Sequence, residues 1–245
     1  PVYNAGSYIG GTIAMVEKQT WKDWELILVD DASSDDSCAR IKSALSQSSM
    51  DPARIHLVRK ERNEGAARAR NVGIDVARGR YISFLDADDV WLPEKLEQEL
   101  AFMQQKDAAF VFTSYEFGDE QAQPTGRIVH APQQLDFRHA LSRTVIFTST
   151  VLFDLEEISK KAIHMPDVPS EDTATWWSIL KSGVTAYGYD RVLTIYRRPP
   201  GSLSSNKVEA AGRIWNLYRT VAELGPVSSA VHFAGWAIRA TARRI

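Results

Sequence analysis

The chain has 245 residues, of which 44% are hydrophobic and 24% charged, enough to bury the core of one large α/β domain or one domain with an appendage. Its formal charge of −2 gives no global attraction to nucleic acid, and a single cysteine, Cys38, excludes an internal disulfide framework and fits a reducing compartment. No apolar run approaches the ~20 residues of a membrane-spanning helix, and the histidines at 56, 130, 139, 164 and 232 lack zinc-ligand spacing.

The chain opens in a loop at Pro1, and a strand preceding that loop is expected. A helix over 5–18 leads to an apolar strand at 26–29. Ser34 is a good N-cap for a second helix that runs to about residue 45. A short strand at 55–58, an Ala- and Arg-rich helix over 65–77 and a strand at 81–85 follow. In the next helix, 93–105, Pro93 sits in the favoured first turn and Leu96, Leu100 and Met103 share a face. A strand at 109–113 closes the series. This alternation predicts an α/β fold with a Rossmann-like, mostly parallel sheet flanked by helices. Residues 118–145 are polar and turn-rich, strands are expected at 150–153 and 186–196, and a helix at 171–180. No linker composition divides 1–206, which is expected to form one domain. Residues 207–245 read as a C-terminal extension of two amphipathic helices broken at Gly225-Pro226.

Three carboxylates, Asp86, Asp88 and Asp89, end the strand at 81–85. That end is where ligands bind in an open α/β sheet. Two carboxylates about 4 Å apart repel by roughly 4 kcal/mol at a surface-like dielectric, and a hard divalent cation is the usual means of offsetting this. A solvated acidic turn is the plain alternative. Asp30-Asp31-Ala32-Ser33 ends the strand at 26–29 with a second pair, able to accept the imino proton of a uracil or simply to form a turn. Tyr3 offers a flat aromatic shelf beside it. After Asn63-Glu64-Gly65, Arg68 or Arg70 could reach a diphosphate or merely cover a surface. Glu171 and Asp172 follow Ser170 at a helix start, which stabilises a carboxylate. Trp176 and Trp177 are either a sugar-stacking platform or two core aromatics.

In their order these clusters resemble the family 2 glycosyltransferases with the GT-A fold. The resemblance rests on 1–4, 25–33, 63–71, 79–93 and Glu171-Asp172, and on Tyr196-Arg197-Arg198 with 201–206, and so spans 1–206. It implies an inverting, metal-dependent transfer of a sugar from a nucleotide-diphosphate sugar, by preference a UDP-sugar, to a hydroxyl of a glycan or lipid-linked saccharide. Asp172 would be the catalytic base. Asp31 would contact the uracil, with Pro1 and Tyr3 packed beside it and Asp30 supporting the nucleoside. Asp86, Ala87, Asp88 and Arg70 would meet the diphosphate, with Mn²⁺ or Mg²⁺ held by Asp88 and Asp86. Glu171, Trp176 and Trp177 would lie on the acceptor side. Ala32 stands where the family often has glycine. Residues 91–96, 112–115 and 204–207 resemble bacterial transferases that build teichuronic-acid, capsule or lipopolysaccharide sugars.

Two other readings are weighed. A sugar-1-phosphate nucleotidyltransferase wants a basic N-terminal loop, yet Asn4-Ala5-Gly6-Ser7 has no Lys or Arg. A non-catalytic nucleotide-sugar-binding paralogue is disfavoured by the intact Asp86, Asp88 and Asp172. The tail, 226–245, carries Phe233, Trp236, Arg239, Arg243 and Arg244 and no acid. Such a helix can lie on an anionic membrane surface, or pack on the domain with a solvated Arg face. The expected setting is cytoplasmic, with peripheral contact on the inner face of the plasma membrane.

Overall fold

In the computed structural model, which describes residues 1–198 and 207–242, the helix–strand alternation is present. Its first half comprises α1 (Gly6–Glu17), β1 (Leu26–Asp30), α2 (Ser37–Gln47), β2 (Ile55–Arg59), α3 (Ala66–Val76), β3 (Tyr81–Ser83), β4 (Val90–Trp91), α4 (Lys95–Lys106) and β5 (Phe110–Gly118). The looser second half supplies β6 (Pro124–Val129), β7 (Gln134–Leu135), α5 (Phe137–Ala140), β8 (Val151–Asp154), α6 (Lys160–Ile163), α7 (Glu171–Lys181) and β9 (Ala186–Arg197). Helices α8 (Lys207–Thr220) and α9 (Pro226–Ala242) end the described chain.

Local chemistry explains where boundaries moved. Ser34 does not cap α2, because Ser34 and Asp35 donate their N–H groups to Asn4 Oδ1 at 2.9 and 3.3 Å, and the helix starts after Asp36. β5 runs on to Gly118 because β9 pairs along it as far as Gly118↔Arg197.

The sheet is mixed, where a mostly parallel one was expected. β1 and β2 pair in parallel from Leu26↔Ile55 to Asp30↔Arg59. The larger sheet has the order β3-β8-β5-β9-β4, with β6 on β5 and β7 on β9. Within it β5–β9 is parallel, whereas β3–β8, β5–β8 and β4–β9 are antiparallel. Alternation fixes direction only for strands joined by a crossover helix. β8 arrives after the short strands β6 and β7 and enters antiparallel to both neighbours.

The core holds the site's elements together. Phe110, Phe112 and Phe153 are fully buried, and Trp176 of α7 packs 5.3 Å from Phe153 and 5.7 Å from Phe110 between ring centroids. Such pairs contribute about 0.5–1.5 kcal/mol each beyond burial, so α7 is fixed and its first turn has a defined place. Trp177 stacks on Tyr218 of α8 at 5.2 Å, and Ile214, Leu217 and Tyr218 are buried in the same cluster.

Candidate active site

The first residues of the chain are knitted to the end of β1. Val2 donates to Val29 O and accepts from Asp31 N, both at 2.8 Å. Asn4 adopts φ 48°, a left-handed conformation that asparagine tolerates, which aims Oδ1 at the Ser34 and Asp35 amides. Tyr3 is left 52% exposed at this edge. Ala32 has φ 59°, the conformation glycine adopts freely, which accounts for glycine at this place in the family pattern.

Asp30 is fully buried, accepting from Ser33 N at 3.2 Å and pairing with Arg59 Nε at 3.3 Å. The Cys38 thiol donates to the same oxygen, Asp30 Oδ2, at 3.6 Å. Asp31 is also buried. It accepts from Lys60 Nζ at 2.5 Å, from Glu64 N at 3.1 Å and from Gly65 N at 2.7 Å. A carboxylate offers about four lone-pair sites, and these three donors take up most of those on Asp31. Gly65, at φ 90°, makes that turn and opens α3.

At the end of β3 the three carboxylates have different surroundings. Asp89 is buried and turned inward, accepting from Ser149 Oγ at 2.5 Å and from Arg197 N at 3.2 Å. Burial and the charges of Asp86 and Asp88 push its carboxyl well above the usual carboxylate range. Asp86 is desolvated as well, but the Arg70 guanidinium more than offsets this and holds it below that range. Asp88 is partly exposed and makes no ion pair with a described residue; burial and the neighbouring Asp86 push it up. Arg197 stands beside it: Nε donates to Asp88 O at 2.6 Å, and the guanidinium lies 4.7 Å over the Tyr8 ring.

Arg70, only 7% exposed, joins this strand end to α7. Nη2 donates to Asp86 Oδ1 at 2.6 Å and Nη1 to Glu171 Oε1 at 2.8 Å. Burial and then the adjacent Asp172 raise the Glu171 carboxyl. Asp172, in the first turn of α7, accepts from Thr173 N at 2.6 Å and from Thr148 Oγ1 at 3.2 Å. Of the two readings of Trp176 and Trp177, the structure bears out core aromatics: both are 2% exposed and do not offer the acceptor side a stacking platform. They lie on the face of α7 that meets β5, β8 and α8.

The donor set fits a hard cation. Asp86 and Asp88 offer the carboxylate oxygens that Mg²⁺ and Mn²⁺ take, in a number that leaves positions for phosphate and water. Among the described residues no group of three or more His, Cys, Asp or Glu side chains closes around one point.

The family model described as Glycosyl transferase family 2 matches residues 1–153. The chain belongs to the family 2 glycosyltransferases. This transferase is 40% identical over 246 residues to the putative teichuronic acid biosynthesis glycosyltransferase TuaG of Bacillus subtilis, covering 100% of its own chain and 95% of the relative. It is 34% identical over 218 residues, 89% of its chain and 82% of the relative, to Escherichia coli WfgD, a UDP-Glc:alpha-D-GlcNAc-diphosphoundecaprenol beta-1,3-glucosyltransferase. Among solved structures, S. aureus TarS 1-349 in complex with UDP-GlcNAc matches with a TM-score of 0.70 at 18% identity, over 97% of this chain and 70% of that one. The mannosyltransferase PcManGT from Pyrobaculum calidifontis, in complex with GDP-Man and Mn²⁺, matches at 0.69 and 16%, over 96% and 66%. These likenesses show the GT-A fold. Membership in the family sets the nucleotidyltransferase reading aside.

Sequence reasoning did not single out Arg197, Thr148 and Ser149 as contacts of the candidate carboxylates. Arg197 lies in the segment 196–206 that resembles the family's closing motif, but its approach to Asp88 comes from pairing of β9 with β4. Residues 201–206 of that motif lie outside the described residues.

Proposed function

We propose that the transferase moves a sugar from a UDP-sugar to a hydroxyl of a lipid-linked saccharide in bacterial cell-surface polysaccharide synthesis, by one inverting displacement that depends on a divalent metal. The observation that carries this reading is the Arg70 bridge, which ties the Asp86–Asp88 strand end to the helix start bearing Asp172. The UDP donor is supported by the donor printed for WfgD and by the UDP-GlcNAc bound to TarS, and the acceptor class by the WfgD name.

Asp88 and Asp86 would hold Mn²⁺ or Mg²⁺, which supplies Lewis-acid neutralisation of charge on the departing diphosphate. Arg197 adds a fixed positive charge beside Asp88. Tyr3 packs beside the base, on a loop fixed by Asp30 and Asp31. Asp172 takes the proton of the acceptor hydroxyl as its oxygen attacks the anomeric carbon. The bond from that carbon to the diphosphate oxygen breaks, and its electron pair leaves with UDP.

Calorimetric titration of UDP, with and without Mn²⁺, tests the donor side. Binding should be metal-dependent in the wild type, and Asp88→Ala should weaken it by at least about tenfold in the presence of metal. Equal affinity for the two proteins would remove Asp88 from the metal site.

Peripheral membrane contact belongs to the same proposal. Among the described residues no helix is long and apolar enough to cross a membrane. The aromatics of the tail follow the packed reading: Phe233 and Trp236 pack on the core, and Trp236 Nε1 donates to Thr144 Oγ1 at 3.1 Å. The outward stripe is aliphatic, with Val227, Val231 and Ile238 exposed by 79%, 65% and 70%. Arg243 and Arg244 lie outside the described residues. Co-sedimentation with anionic phospholipid vesicles should fall roughly tenfold or more in the double variant Val231→Asp, Ile238→Asp, since each side chain contributes up to about 1.5–3 kcal/mol when buried. Unchanged co-sedimentation would assign this face no lipid contact.

A further inference from the structure

The short turn Thr148–Thr150 leads into β8 and carries three hydroxyls, all buried at 2% exposure or less. A buried hydroxyl is destabilising unless it is bonded, so each needs a partner. Thr150 Oγ1 donates to Phe147 O at 2.7 Å, which closes its own turn. The other two reach out of the turn, to different parts of the candidate site.

Ser149 Oγ accepts from Asp86 N at 3.1 Å and donates to Asp89 Oδ2 at 2.5 Å. Asp86–Asp89 is itself a turn, closed by Asp89 N donating to Asp86 O at 3.1 Å. One hydroxyl thus pins the first and last residues of the turn that carries Asp88. Ser149 is held in turn from behind, because its carbonyl accepts from Trp91 Nε1 at 2.7 Å and from Thr194 Oγ1 at 3.2 Å. Thr148 Oγ1 donates to Asp172 Oδ2 at 3.2 Å. The two anchoring residues are neighbours, joined by a trans peptide across which Cα atoms stand about 3.8 Å apart. Their hydroxyl oxygens lie one bond beyond Cβ, so neither side chain has length to spare. Arg70 crosses from Asp86 to Glu171 on a long side chain. The Thr148-Ser149 unit crosses from the same strand end to Asp172 itself.

We propose that Thr148 and Ser149 are positioning residues of the transfer. Ser149 holds the turn that presents Asp86 and Asp88, Thr148 holds Asp172, and the single peptide unit between them sets the spacing of the two. The inference rests on the roles proposed above for Asp86, Asp88 and Asp172.

The test measures Mn²⁺ binding in the presence of UDP, by the electron paramagnetic resonance of free Mn²⁺, and kcat with a UDP-sugar and a lipid-linked acceptor. Ser149→Ala should weaken Mn²⁺ binding about 10–100-fold, the usual effect of losing a group that orients a metal ligand. Thr148→Val should lower kcat about tenfold or more, because a displacement of about 1 Å in a reacting group is enough for that. Its affinities for Mn²⁺ and UDP should stay at wild type, and Thr148→Ser, which restores the hydroxyl, should recover most of the lost rate. Thr150→Val is the control: it removes a buried hydroxyl from the same turn and should lower the thermal midpoint without changing Mn²⁺ affinity. Wild-type kcat in Thr148→Val would overturn the proposal. So would equal loss of Mn²⁺ affinity in Thr150→Val and Ser149→Ala, since a loosened turn would then explain both. Normal Mn²⁺ binding by Ser149→Ala, with binding lost in Asp88→Ala, would strike the positioning role alone, whereas normal binding by Asp88→Ala would strike the metal site beneath it. If Ser149→Ala does not fold, the Thr148→Val and Thr148→Ser pair decides.

Discussion

Asp172→Asn is expected to lower kcat by about 10²–10⁴-fold, the usual contribution of a positioned base, while leaving the affinity for UDP unchanged. The substitution keeps shape and hydrogen bonds. The amide oxygen can accept from Thr173 N, as Asp172 Oδ1 does at 2.6 Å, and the amide nitrogen can donate to Thr148 Oγ1, now 3.2 Å from Oδ2. What disappears is the capacity to accept a proton. Steady-state turnover with a UDP-sugar and a lipid-linked acceptor measures the first effect, and calorimetry with UDP the second. Wild-type turnover in the variant would take the base role from Asp172. Glu171 would be the next carboxylate to test, although its Arg70 contact makes its removal structural as well.

The acidic residues of the proposed site stand out in the sequence because each ends a local pattern. Asp86 and Asp88 follow an apolar strand, Asp30 and Asp31 follow another, and Asp172 opens a helix. Which of those carboxylates remains available is set by partners distant in sequence. Asp31 is taken up by Lys60, 29 residues away, and Asp89 by Ser149 and Arg197, 60 and 108 residues away. The tryptophans of α7 posed a similar ambiguity. A core pair and a sugar platform have the same helical spacing, and only packing against Phe110 and Phe153 decides between them. Strand direction in the larger sheet was hidden for the same reason. Helical spacing alone separates Arg68 from Arg70. Residues two apart on a helix project about 200° from one another, and Ala67, Arg70 and Ile74 share the spacing of an inner face. Arg68 is accordingly 51% exposed and pairs with Asp167, whereas Arg70 is buried.

Arg70→Met is expected to destabilise the fold by about 3–5 kcal/mol at pH 7, the range for removing one partner of a buried ion pair. The reason is what it leaves behind: Asp86 and Glu171 stay in place without the guanidinium that bonds both. The pH dependence separates this from simple loss of packing. Asp86 is held below the usual carboxylate range, so its contribution is present above the unfolded value and is lost as pH falls through the lower, folded value. Without Arg70 the remaining influence of burial raises both carboxyls above their unfolded values. The variant should then gain stability as the medium is acidified through that range, and the gap to wild type should narrow between about pH 7 and pH 4.5. Urea denaturation at the two pH values measures this directly. Arg70→Lys should fall between the two proteins, because an ammonium restores charge without the planar fork that reaches both carboxylates. A loss below about 1 kcal/mol, or a gap that does not change with pH, would mean that the Asp86 strand end and the Asp172 helix are held together by the aromatic core alone.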